Sequence, residues 1–137
     1  MKLCSACLLG VKCRYNGKDK ADEKILELSK KEELIPVCPE QLGGLSTPRE
    51  PAERKGDRMI TISGKDVTEN FERGAEETLR IAKMMGVKEA ILKQKSPSCG
   101  CGKVYDGTFT GKIIKEDGIT ASLLKRNGIK VMSEEDL

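Results

Sequence analysis

The chain has 137 residues, 25 of them basic and 22 acidic, with 6 cysteines, 2 tyrosines, 2 phenylalanines and neither histidine nor tryptophan. Without histidine there is no Ser-His or Cys-His nucleophile pair, no imidazole base and no histidine-ligated zinc or haem, so acid–base work falls to Asp, Glu, Lys, Tyr or Cys. The length suits a single domain over residues 1–137, and a net charge of +3 with no dense Lys/Arg block interleaved with aromatics argues against a nucleic-acid partner.

In chain order, Lys2 to Leu9 reads as a short apolar strand that breaks at Gly10 into a polar loop, Lys12 to Lys20. From Ala21 to about Lys31, Ile25, Leu26 and Leu28 stand among Lys and Glu as in an amphipathic helix. Leu34–Val37 is a second strand, running into Cys38-Pro39-Glu40, where Pro39 stops it. Residues 41–57, with three glycines and two prolines, read as one long irregular loop of the kind that carries function.

Met59–Ser63 is a short strand ending at Gly64. Asp66-Val67-Thr68-Glu69 has capping-box spacing, and Val67, Phe71, Ala75, Thr78, Ala82 and Met85 share one face of a helix over 67–85, stopped by Gly86. Val87–Leu92 is apolar enough for a central strand and empties into a loop over 93–102 with Cys99 and Cys101. Asp117–Asn127 is a short helix and Ile129–Met132 a last strand. The alternation predicts an α/β fold, a Rossmann-like domain with a mostly parallel sheet flanked by helices.

No apolar run is long enough to cross a membrane, and MKLCSACLLG lacks the apolar length of a secretory signal, so a cytoplasmic location is expected. In that reducing compartment six cysteines point to metal ligation or reactive thiols before disulfides.

Cys7, Cys38 and Cys99 each fall at or just past the carboxyl end of a predicted strand, and in open parallel sheets those ends meet at one crevice. Four thiolates would close a zinc site or fully ligate an iron–sulfur cubane, whereas three leave a position open for substrate. Cys4 lies inside the first strand and reads as a small buried hydrophobe, and Cys4/Cys7 lacks the helix that a C-x-x-C redox pair opens. Cys13 and Cys101 are left unassigned between ligand and bystander. Arg14, Tyr15, Asn16 and Arg49 are candidates to bind a substrate or its phosphate, with ordinary loop hydrogen bonding as the alternative.

The ordered blocks Ser5-Ala6-Cys7-Leu8-Leu9-Gly10, Cys13-Arg14-Tyr15-Asn16-Gly17, Cys38-Pro39-Glu40 with Gly43-Gly44-Leu45 and Pro48-Arg49, Ser96-Pro97-Ser98-Cys99-Gly100, and Tyr105-Asp106-Gly107-Thr108-Phe109 resemble the 2-thiouracil desulfidase family. The resemblance implies a [4Fe-4S] cluster held by Cys7, Cys38 and Cys99, with the fourth iron free to take the sulfur of a thiolated pyrimidine. It also implies an acidic residue and a serine near the cluster, here Glu40 and either Ser96 or Ser98.

The expected function is removal of sulfur from a thiopyrimidine as sulfide, without net redox change, with Glu40 as general base and then proton donor. Glu40 has a competing reading as a loop carboxylate paired with Arg14 or Arg49. Two other classes stand beside the enzyme: a non-catalytic iron–sulfur or zinc protein, and an RNA-binding module linked to thiolated tRNA.

Overall fold

The computed structural model describes residues 1–137. In chain order its strands are β1 (Lys2–Ser5), β2 (Leu34–Val37), β3 (Ala52–Lys55), β4 (Arg58–Thr61), β5 (Glu89–Leu92), β6 (Val104–Tyr105), β7 (Ile113–Ile114) and β8 (Lys130–Ser133). The helices are α1 (Glu23–Ser29), α2 (Pro39–Leu42), α3 (Thr68–Met85) and α4 (Ile119–Arg126). Four strands form a parallel sheet in the order β2-β1-β5-β8, and β3-β4 and β6-β7 are separate antiparallel pairs. The chain leaves β1 towards β2 on one side and returns to β5 on the other. The strand order therefore reverses between β1 and β5, where α/β sheets open a crevice at their carboxyl ends.

Side chains alternate across the sheet. Leu3, Ala90 and Leu92 pack with Ala82 of α3 and Leu124 of α4, while Cys4 and Ile91 pack on the opposite side with Leu8 and Ile25 of α1. On α3 the buried face carries Phe71, Ala75, Thr78 and Ala82 as the spacing predicts, and Gly86 caps it in the left-handed conformation with φ 69°. Met85, expected on that face, is 43% exposed because it stands in the last turn, beyond the reach of the sheet.

Other expectations are corrected. The first strand ends at Ser5 and residues 6–9 form a 3-10 turn, since a buried turn and a buried strand are equally apolar. The segment 41–57 is not one irregular loop: it holds the end of α2 and all of β3, whose Ala-Glu-Arg-Lys sequence shows no apolar alternation. No capping box forms at 66–69; Asp66 Oδ1 instead accepts from the Thr68 amide at 2.9 Å and hydroxyl at 2.6 Å. The two-residue strands β6 and β7 are too short to leave a periodic signal.

One close approach sets the position of α2. A Cβ on Gly43 would come 1.9 Å from the Asn70 carbonyl oxygen, and one on Gly74 would come 1.9 Å from that of Pro39. Only glycines let α2 lie backbone to backbone on α3, and this fixes the segment that carries Cys38 and Glu40.

Candidate active site

The loops that follow β1, β2 and β5 enclose a cavity of about 580 Å³ at the carboxyl end of the sheet. The β3-β4 pair and the loop between β6 and β7 close its other side. No helix is long and apolar enough to cross a membrane.

Cys7, Cys13, Cys38 and Cys99 all line this cavity, whereas Cys4 and Cys101 do not. Cys7 sits in the 3-10 turn directly after β1. Cys38 occupies the N-cap of α2 with Pro39 as its first helical residue, so the proline that ends β2 also starts the helix. Cys99 ends a tight turn in which Ser96 Oγ accepts from the amides of Ser98 and Cys99, each at 3.1 Å, and the first amides of α4 bond back to this turn, Thr120 N to Ser98 O at 2.8 Å. Gln94 clamps the same loop, accepting from the Cys101 amide at 2.7 Å and donating to its carbonyl at 3.0 Å.

Cys4 is fully buried in the core, as its place inside β1 implies. Cys101 turns away, its Sγ lying 3.5 Å from the Val131 carbonyl of β8. Cys13, left open by the sequence, is brought in: it lines the cavity with Cys7, Cys38 and Cys99, and its carbonyl accepts from Cys38 Sγ at 3.7 Å.

Cys99, Cys38 and Cys13 resist ionisation. Burial pushes Cys99 up to about 12. The hydrogen bond with Cys13, then burial, raises Cys38 well above the thiol range. For Cys13 a bond with Cys38 pulls down, but the bond with Cys7 and burial carry it to about 11. A bound metal reverses this balance, because its positive charge deprotonates a coordinating thiol outright.

Glu40 lines the cavity from the first turn of α2. Arg49 Nε donates to Glu40 Oε1 at 3.1 Å, its Nη1 donates to Ser46 O and Thr47 Oγ1, and its Nη2 donates to Cys13 O at 3.0 Å. With that side chain only 8% exposed, the guanidinium acts on the protein, tying the Cys13 loop to the start of α2.

Among the other sequence candidates, Arg14 and Tyr15 line the cavity, with the guanidinium 5.6 Å from the ring centre. Asn16 does not line it; its Oδ1 closes a turn by accepting from the Lys18 amide. The two serines separate clearly. Ser96 lines the cavity, while Ser98 is buried behind it with Oγ 2.8 Å from Thr120 Oγ1. Sequence reasoning gave no role to Ser5, Glu53, Tyr105 or Phe109, all of which line the cavity. The block 105–109 was a detectable signal; Glu53, inside an apparent loop, left none.

No three His, Cys, Asp or Glu groups come close enough to share a single metal ion. Four soft sulfur donors line the cavity, those of Cys7, Cys38 and Cys99 arriving from three strand ends, and this spread fits instead a body of several irons, whose ligands sit on separate metal atoms. The donor set therefore suits an iron–sulfur cluster better than one zinc.

A family model described as 2-thiouracil desulfurase matches residues 3–136. The uncharacterized protein YbbK of Bacillus subtilis (strain 168) is 48% identical, over the whole of this chain and 97% of that one. The solved structure of the [4Fe-4S]-dependent thiouracil desulfidase TudS superposes with a TM-score of 0.93 at 45% identity, covering 99% of this chain and 91% of that one.

Proposed function

The chain belongs to the 2-thiouracil desulfurase family, and we propose that its cavity binds a [4Fe-4S] cluster and hydrolyses a thiolated pyrimidine to the oxo-pyrimidine and sulfide. The single observation that carries this reading is the convergence of Cys7, Cys38 and Cys99 from three strand ends onto one cavity that also holds an acid and a serine. When bound, the cluster supplies a soft Lewis-acidic iron matched to the thiocarbonyl sulfur.

The remaining work falls to the side chains. Glu40 takes a proton from water as it adds to the C–S carbon and returns one as sulfur leaves. Arg49 is a positioning residue, holding the carboxylate in place through Oε1. Ser96, which already accepts two amide hydrogens, keeps its hydroxyl proton to donate to water or to the pyrimidine edge. Arg14 and Tyr15 contribute a cationic and an aromatic edge to the substrate. Water supplies the oxygen and both protons balance, so no electron donor is required. A reducing compartment, where the six unpaired thiols stay free, suits the reaction.

The test is anaerobic reconstitution with iron and sulfide, then measurement of sulfide released from 2-thiouracil, 4-thiouracil and their nucleotides. Four irons per chain, visible absorption that responds to thiouracil, and sulfide release are expected. Zinc in place of iron, or a cluster spectrum indifferent to ligand, would return the protein to the non-catalytic class.

A further inference from the structure

We propose that Phe109 is the stacking platform for the substrate ring, and that Glu53 is the positioning residue that holds it there. The proposal rests on the desulfidase reading above and names a part of the site that reading leaves unassigned. The chain has 2 Tyr and 2 Phe. Phe71 is 1% exposed in the core, while Tyr15, Tyr105 and Phe109 all line the cavity. A protein poor in aromatics thus places its remaining rings at the site expected to take a flat heterocycle.

Phe109 is held unusually. Its φ is 58°, a left-handed conformation that a side-chain-bearing residue adopts only when its surroundings impose it. The constraint comes from Glu53, whose Oε1 accepts from the Gly107 amide and the Phe109 amide, both at 3.0 Å. Glu53 is 9% exposed and makes no ion pair, so its charge is met by these two backbone donors. Gly107 lets the loop sit on β3, since a Cβ there would come 2.7 Å from the Arg54 carbonyl oxygen. Asp106 Oδ1 ties the turn from within, accepting from the Thr108 amide at 2.9 Å. The loop backbone is pinned to β3, and a ring carried on it into the cavity suits stacking, which accepts any pyrimidine face and leaves the polar edges to other groups.

Stacking made equally in the ground and transition states changes KM and spares kcat. In reconstituted protein that turns over 2-thiouracil, Phe109→Ala should raise KM roughly tenfold, with kcat and iron content within about twofold of wild type. Phe109→Tyr should return KM to within about threefold. Glu53→Ala should raise KM similarly, and the double variant should be no worse than the poorer single, because both act through one ring. Glu53→Gln keeps an acceptor oxygen for both amides and should recover most of the loss, which separates this role from a folding defect in Glu53→Ala. An unmoved KM in active Phe109→Ala, or multiplied effects in the double variant, overturns the proposal while leaving the desulfidase reading intact. Wild-type protein that binds the cluster and releases no sulfide overturns that reading itself.

Discussion

Arg49 and Glu40 form a half-buried ion pair in the lining of the cavity, Nε to Oε1 at 3.1 Å with side chains 8% and 19% exposed. The pairing that sequence offered as the ordinary alternative to catalysis is present, and Glu40 faces the cavity as well. Under the proposed function one contact serves both purposes, since a carboxylate fixed through one oxygen is better placed to use the other. Glu40→Gln should retain iron and lose turnover by about 100-fold or more, in line with the usual contribution of a positioned acid–base group. Arg49→Ala should lower stability by about 2–4 kcal/mol, because it strands a half-buried carboxylate and the Cys13 carbonyl. Urea unfolding with iron analysis checks both; a fully active Glu40→Gln protein removes Glu40 from the chemistry.

The cysteines divide by where their sulfurs point. Cys7→Ser, Cys38→Ser and Cys99→Ser should each abolish the cluster absorption after anaerobic reconstitution. Cys101→Ser should keep it, because that sulfur lies on β8 outside the cavity. Loss of iron from Cys101→Ser, or its retention in any of the other three, would show that the ligand set is drawn wrongly.

Ser96 and Ser98 are two residues apart and face different surroundings. Ser96→Ala should cut turnover, with some loss of order in the Cys99 turn. Ser98→Ala should cost about 1 kcal/mol of stability through the lost bond to Thr120 and leave kcat nearly unchanged. The reverse pattern in steady-state kinetics would exchange their roles.

Cys4 makes a pH prediction. Burial, with the Cys99 sulfur adding to it, raises its thiol from the ordinary value of 9.0 to about 12. In that interval the unfolded chain has released a proton that the folded chain keeps. Stability from this group is therefore complete below pH 9 and declines as pH rises towards 12, by up to about 1.4 kcal/mol per pH unit. Cys4→Val, which cannot ionise, should show a shallower decline in urea midpoint between about pH 8 and about pH 11. Identical slopes for the two proteins would mean that Cys4 does not carry the effect.

Much of the scaffold was legible because its signals are local. The α3 stripe from Phe71 to Ala82, the Gly86 stop and the alternation of strands with helices each depend on residues within a turn or two of one another. The failures have an equally physical basis. Ala6–Leu9 is as apolar as a strand and folds as a turn. The polar strand β3 is held by pairing with β4, and its buried Glu53 is explained only by amides at Gly107 and Phe109, more than fifty positions away.

By itself the sequence determined the chemical inventory: sulfur ligands without imidazole, a carboxylate beside a cysteine, and an α/β order that brings strand ends together. Those conclusions depend on residue types and short-range periodicity, which no packing can alter. Tertiary structure alone decided which sulfurs share the cavity, bringing Cys13 in beside Cys7 and Cys38 and turning Cys101 out towards β8. It likewise chose Ser96 over Ser98 to face the cavity, spent Arg49 on Glu40 and set Phe109 in the wall. The reason is geometric: one step along a turn or strand reverses the direction of a side chain, and only contacts between distant segments fix which direction faces the site.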